Sequence, residues 1–193
     1  MKIFLIRHGD AIRTEKDIIL TKKGITQAKK VAKVLCSFLI TKVYVSTATR
    51  AQQTFEEYRK LKPEIPFVNT ADIKEIYRLI VGGSPKEGTN PSREKEDRAR
   101  VKQFFENMKK LPENDNIVLF THGNVIRYLL AKVLDIPPEK MWQKILINSG
   151  SISMLETQNG FFYIMMLNNI AHLPLSETES FYKEKVKEEE YFP

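Results

Sequence analysis

"FLIRHGDA", residues 4–11, joins a run of strand-forming apolar residues to an arginine, a histidine and a glycine. The run Ile3–Ile6 shows no polar alternation, which suits a strand buried on both faces of a sheet rather than one with a wet side. Arg7 and His8 then fall where that strand stops, and Gly9 follows at once. In a parallel sheet covered by helices, ligands bind beyond the carboxyl ends of the strands. The junction is therefore either a strand end of incidental polarity or the floor of an anion site, and the other strand ends must decide.

Working outward, Thr21 is placed to cap a helix running to about Leu39. Its apolar positions Ile25, Ala28, Val31, Ala32, Leu35, Cys36 and Leu39 recur at helical spacing, with lysines on the other side. "KVYVST" (42–47) predicts the next strand, a helix follows from about Ala48 to Leu61, and "IPFVN" (65–69) is a third strand. Residues 78–97 are rich in Gly, Pro and charge and are expected to form the longest irregular stretch, a substrate loop. A helix from about Ser92 to Leu111 carries Val101, Phe104, Phe105, Met108 and Leu111 as its core stripe. "NIVLF" (116–120) is a second buried strand with the helix "NVIRYLLAKVL" (124–134) behind it, ended by Pro137 and Pro138. "SISMLET" and "FFYIMML" flank the turn "QNG" (158–160) and read as a hairpin. Strands alternating with helices predict an α/β three-layer sandwich with a mostly parallel central sheet. One domain is expected over 1–175, followed by a charged tail at 176–193.

The composition bounds the function. At 193 residues, 42% hydrophobic and 28% charged, the chain can bury one full core, and 8 glycines with 9 prolines leave no low-complexity linker. The net charge of +7 favours anionic partners. No aromatic residues interleave with the basic ones as a base-stacking platform requires, so no nucleic-acid partner is expected. Cys36 is the single cysteine, which excludes an internal disulfide, suggests a reducing compartment and reads as a packed thiol. With no signal-peptide pattern and no stretch of membrane-spanning length, the expectation is a cytoplasmic protein without a membrane partner.

The strand ends carry the chemistry. The first delivers Arg7, His8 and Gly9; the second delivers Ser46, with Arg50 in the following helix's first turn; "NIVLF" delivers Thr121, His122 and Gly123. An arginine in a helix's first turn opposes the dipole unless an anion is near. Two guanidiniums can grip phosphate oxygens bidentately. A neutral imidazole attacks phosphorus near neutral pH, and a second imidazolium stabilises charge on the equatorial oxygens. Gly9 and Gly123 would let backbone N–H groups approach the same anion. A carboxylic acid is then needed to protonate the departing oxygen and later to activate water. The histidines lack metal-ligand spacing and two arginines would repel a cation, so neither a metal nor another cofactor is expected.

Four ordered segments resemble the histidine phosphatase, or phosphoglycerate mutase-like, superfamily: "RHGDA" (7–11), "LTKKGITQAKKVAKVL" (20–35), "STATRAQQT" (46–54) and "FTHGNVIRYLL" (120–130). The likeness covers nearly the whole chain and implies the phosphoglycerate mutase-like fold. It further implies phosphorylation of His8, a phosphate pocket of Arg7, Arg50, His122 and Gly123, and a metal-independent phosphomonoesterase. "DIKEIYRL" resembles the family's acid segment and places Glu75 as the acid, with Asp72 the alternative. "HGNVIRYLLAKVLDIPPEKMW" and "NSGSISML" resemble the mitochondrial serine/threonine phosphatase branch, which carries Ala where Gly123 stands. "RHGDA" and "RAQQT" also resemble bacterial phosphohistidine phosphatases. The long insertion typical of the mutases before the second histidine is missing, which favours hydrolysis over phosphoglycerate mutase transfer. The substrate is expected to be a phosphoprotein or a phosphorylated small molecule; a non-catalytic phosphoprotein-binding module is the reading from another class. Leaving group and oligomeric state stay open at this level. Arg13, Arg78, Lys86 and Arg93 are candidate substrate contacts, while His172, Asn124 and Arg127 read as structural or packing residues.

Overall fold

A computed structural model describes residues 1–77, 80–81, 84–85 and 91–178. The chain runs β1 (Lys2–Arg7), β2 (Ala11–Arg13), β3 (Ile18–Leu20), α1 (Lys22–Leu35), β4 (Lys42–Ser46), α2 (Thr49–Arg59) and β5 (Phe67–Thr70). It continues through β6 (Ile80–Val81), β7 (Ser84–Pro85), α3 (Pro91–Met108), β8 (Asn116–Thr121), α4 (Gly123–Val133), α5 (Pro138–Lys144), β9 (Ile152–Gln158) and β10 (Phe161–Asn169).

The central sheet has the order β10-β9-β1-β8-β4-β5. β1, β8, β4 and β5 are parallel, whereas β9 and β10 join as an antiparallel hairpin beyond β1. Alternate residues of each central strand feed two cores. Ile3, Leu5, Ile117 and Leu119 pack with Val101, Phe104 and Phe105 of α3 and with Val125, Ile126 and Leu129 of α4. Phe4, Ile6, Val118 and Phe120 pack on the other face with Val31 and Leu35 of α1 and Phe55 and Tyr58 of α2. The expected three-layer α/β sandwich with a mostly parallel sheet is therefore the architecture, and it explains why the central strands are apolar throughout.

Several boundaries differ from the sequence reading. α1 stops at Leu35, with the Cys36 N–H bonded back to the Ala32 carbonyl and the Ser37 N–H to the Val34 carbonyl, so Leu39 lies outside the helix and is 87% exposed. Thr21 is its N-cap, and its side chain accepts from Gly24 N–H. α3 begins at Pro91, a position proline favours because its missing N–H would be unpaired there. The expected irregular stretch 78–97 is thus helical from residue 91, and its Arg78 and Lys86 lie outside the described residues. The short hairpin β2–β3 occupies what reads as a polar loop. The domain also runs past residue 175: Thr178 is buried, and Glu177 reaches Lys30 of α1 at 2.6 Å. Residues 179–193 of the expected tail lie outside the described residues. The "QNG" hairpin forms as anticipated, with positive φ at Asn159 and Gly160 (52° and 78°), as a type I′ turn requires. Among the described residues no helix is long and apolar enough to cross a membrane.

Candidate active site

β1 and β8 are parallel neighbours in the register Arg7↔Thr121, so the residues that follow them, His8 and His122, emerge side by side at the carboxyl edge. Their rings meet edge to face with centroids 5.2 Å apart. Both are buried, at 6% and 0% exposure. β4, the next strand, brings Ser46 to the same edge, where its hydroxyl lies 2.8 Å from His122 Nε2. α2 then supplies Arg50 from its first turn. His8, His122, Ser46 and Arg50 therefore stand together at this edge.

The tautomer of His8 follows from its partners. Nδ1 lies 2.8 Å from the Gly9 carbonyl oxygen, which can only accept, so Nδ1 carries the proton. Nε2 accepts from the Arg50 Nε–H at 2.9 Å and therefore holds the lone pair. Burial first, then the Arg7 and Arg50 charges, hold His8 well below its ordinary pKa. His122 is likewise pushed well below the usual value, by burial and then by His8 and the arginines. Near neutral pH both directions favour the uncharged ring, so the imidazolium expected at His122 would need the charge of a bound phosphoryl group to offset the loss of solvation. Its Nδ1 is buried without a hydrogen-bond partner among the described residues.

Glu75 stands in a segment, 71–77, without helix or strand. Its neighbours Ile73 and Ile76 are buried at 0% and 1% exposure and anchor the segment in the core on either side of the acid. The Asn124 N–H, at the start of α4, donates to Glu75 Oε1 at 3.0 Å. Burial raises the pKa of Glu75, and the charges of Arg7 and Arg50 and the Asn124 N–H pull the other way. Asp72, the alternative acid, is exposed and accepts a hydrogen bond from the Thr70 hydroxyl at 2.9 Å, apart from this cluster.

Gly9 plays a different part from the one expected. The Gly9 N–H donates to Thr54 Oγ1 at 3.1 Å and the Asp10 N–H to Gln27 Oε1 at 2.7 Å, so neither is aimed at an anion. Gly9 is required for close approach instead: a Cβ there would lie 2.4 Å from the Gly24 carbonyl oxygen. At Gly123 a Cβ would meet Arg127 Nη1 and Arg7 Nε at 3.5 Å, ordinary contact. Arg7 itself donates from Nη1 to the Ile147 carbonyl.

Of the outer candidates, Arg13 is exposed in β2, and its charge adds to the burial that chiefly depresses the pKa of Arg50. Arg93 stacks over the Tyr77 ring at 4.9 Å. His172 lies 3.0 Å from the Gly150 carbonyl oxygen and belongs to the scaffold. Asn124 does more than pack, since its N–H meets Glu75 while its side-chain amide donates to the Ile76 carbonyl at 3.1 Å. Ligand atoms of His8, Glu75 and His122 lie within 4.8 Å of one another. The separation of the histidines along the chain is therefore no argument against a metal, but the charge argument stands, because the Arg50 guanidinium donates directly to His8.

Sequence and fold comparisons agree with this geometry. A profile of the histidine phosphatase superfamily (branch 1) matches residues 3–96 and 84–170. The serine/threonine-protein phosphatase PGAM5, mitochondrial, of Xenopus tropicalis is 31% identical over 193 residues, covering 89% of this chain and 66% of its own length. The chain thus spans just under two thirds of that relative. Among solved structures, the alpha-ribazole phosphatase from Shigella flexneri superposes with a TM-score of 0.72 at 20% identity, covering 88% of this chain and 96% of that one. A phosphoserine phosphatase from Entamoeba histolytica, in complex with 3-phosphoglyceric acid, gives 0.70 at 23% identity over 90% and 99%. At these identities the structural likeness establishes the fold.

Proposed function

Since this chain belongs to the histidine phosphatase superfamily (branch 1), we propose that it is a metal-independent phosphomonoesterase working through a phosphohistidine on His8. The observation that carries the reading is the state of two groups held together. His8 presents the Nε2 lone pair while its Nδ1–H donates to the Gly9 carbonyl, and Glu75 is a carboxyl whose pKa burial raises. One is a nucleophile and the other an acid, within reach of the same small volume.

In the first half-reaction the Nε2 lone pair forms a bond to phosphorus while the bond from phosphorus to the leaving oxygen breaks. The Glu75 proton goes to that oxygen, releasing an alcohol. In the second, water attacks the phosphoryl group, Glu75 takes its proton, and the N–P bond breaks to give orthophosphate and neutral His8. Arg7 and Arg50 hold the phosphoryl oxygens. Arg50 transfers its Nε–H from His8 to an oxygen as the substrate enters, which frees the lone pair at the moment it is needed. His122 Nδ1 supplies a further donor, with its Nε2 accepting from Ser46, and Gly123 lets the phosphoryl group approach the start of α4.

The substrates this reading favours are phosphoserine or phosphothreonine proteins, supported by the serine/threonine phosphatase relative, or a small phosphometabolite. A non-catalytic phosphoprotein binder would have no use for a half-buried acid beside a lone pair. The single half-buried cysteine suits a reducing compartment. The test is a phosphate-release screen over phosphopeptides, phosphohistidine peptides, phosphoglycerates and simple monoesters, run with chelator. Turnover that survives chelator and disappears in His8→Ala is expected; turnover retained by His8→Ala would remove the nucleophile and the mechanism with it.

A further inference from the structure

The acid segment 71–77 has no helix or sheet ladder to take up its backbone groups, yet it must hold Glu75 within a fraction of an ångström for proton transfer. Its polar backbone atoms therefore need other partners. One side is held from β8 and α4: the Thr121 hydroxyl donates to the Ile73 carbonyl at 2.7 Å, and Asn124 grips Ile76 and Glu75 itself. The other side is held by two residues one turn apart on α3. The Arg100 guanidinium donates from Nη1 to the Ala71 carbonyl and from Nη2 to the Lys74 carbonyl, the latter at 3.2 Å. The same Nη2 donates to Asp97 Oδ1 at 2.6 Å, and the other Asp97 oxygen accepts the Tyr77 N–H at 2.9 Å.

We infer that Asp97 and Arg100 are positioning residues for the general acid: together they close a clamp on the backbone before and after Glu75, opposite the grip of α4. The pair is mostly shielded from solvent, with side chains 17% and 23% exposed, so its bonds are worth more than those of a surface ion pair. Each partner also fixes the other. Arg100 can reach two carbonyls because Asp97 pins its Nη2, and Asp97 can face Tyr77 because Arg100 neutralises it. Among the described residues neither side chain is hydrogen-bonded to Arg7, His8, Arg50 or His122, and only the charge of Arg100 reaches the pocket, at His122, so the clamp acts chiefly on proton delivery.

The inference rests on Glu75 being the acid, and the leaving group separates the two claims. An alkyl phosphate expels a strongly basic oxygen and needs the proton; 4-nitrophenyl phosphate expels a weakly basic one and hardly does. Single-turnover rates of His8 phosphorylation are measured on both substrates for the parent, Glu75→Gln, Arg100→Gln, Arg100→Lys and Asp97→Asn. Glu75→Gln should lose about 10²–10⁴-fold on the alkyl phosphate and far less on the aryl one, as expected for removal of a general acid. Arg100→Gln should follow the same direction, losing roughly 10–100-fold on the alkyl substrate and under about 3-fold on the aryl one, with KM little changed. Arg100→Lys, which keeps the charge that reaches His122, should recover part of the loss. Asp97→Asn, of nearly the same shape, should show the same leaving-group bias and serves if Arg100→Gln does not fold. Equal losses on both substrates in the α3 variants, or none, overturn the clamp while Glu75→Gln keeps its bias. A Glu75→Gln variant without bias overturns the acid assignment instead.

Discussion

Replacing Gly24 with alanine should damage this protein from a position outside the pocket. Gly24 sits in the first turn of α1, where alanine would ordinarily stabilise the helix by about 1 kcal/mol. Here its Cβ would lie 2.0 Å from the Asp10 carbonyl oxygen and 3.0 Å from the Asp10 carbonyl carbon and amide nitrogen. Carbon and oxygen atoms settle no closer than about 3.4 Å without strain, so one backbone must retreat by more than an ångström. Neither can do so freely. The Asp10 carbonyl accepts the Thr21 N–H at 3.0 Å, its carboxylate accepts the Thr21 hydroxyl at 2.6 Å, and its N–H donates to Gln27 at 2.7 Å. Overpacking of about 1–3 kcal/mol and one or two lost hydrogen bonds of about 1 kcal/mol each outweigh the helix gain, leaving a net loss of about 1–4 kcal/mol. In a domain of this size that is a fall in Tm of about 2–16 °C. Asp10 is two residues from His8, so kcat should fall with it. Thermal or urea unfolding and phosphate release measure both effects, with Gly123→Ala as the control for stability alone. At Gly123 the added carbon meets only ordinary contacts, and stability should change by less than about 1 kcal/mol. A Gly24→Ala protein with parental Tm and full activity would show that the close approach does not set the geometry of the His8 loop.

Other expectations follow from the same contacts. The reactive form needs neutral His8 and protonated Glu75; since one pKa is depressed and the other raised, kcat/KM should rise at a pH below 6.5 and decline only at a pH above 4.5. A pH-rate profile checks this, and Glu75→Gln should abolish the declining limb. On stability the sign for the histidines is the depressed case: His8 and His122 are neutral in the fold and charge on unfolding. Their contribution is present above about 6.5 and is lost as pH falls through their folded values. Urea midpoints taken from pH 7.5 to 5.5 should therefore drop, and drop less in His8→Ala. Ser46→Ala leaves buried His122 Nε2 without its partner, at a cost of about 1–3 kcal/mol, and should lower turnover by weakening the tautomer that presents Nδ1–H. Asp72→Asn, which changes an exposed turn carboxylate, should leave activity within about 2-fold of the parent, as surface changes away from special features do.

What could be read from the chain, and what could not, divides along physical lines. The strands β1 and β8 were legible because burial on both faces leaves an uninterrupted apolar run, and the residues after such runs land at one edge of a parallel sheet whatever the helices do. That is why Arg7, His8, Ser46 and His122 could be placed together without coordinates. The end of α1 was not legible, because apolar residues continue to Leu39 and no glycine or proline marks the stop; the chain turns away after Cys36 to send Phe38 against the Phe4 ring at 4.7 Å. The hairpin β2–β3 has three residues to a strand, too few to show any period. Gly9 reads in the sequence as a close approach to an anion, whereas it is the Gly24 backbone that it approaches: sequence suggests that a backbone comes close to something, never to what. The clamp of Asp97 and Arg100 is the extreme case. Their partners are the carbonyls and N–H of an irregular segment, groups that every residue carries, so no pattern of side chains announces the contact. Residues that perform the chemistry are recognisable by type, whereas residues that aim it are defined by backbone geometry, and only the folded chain reveals them.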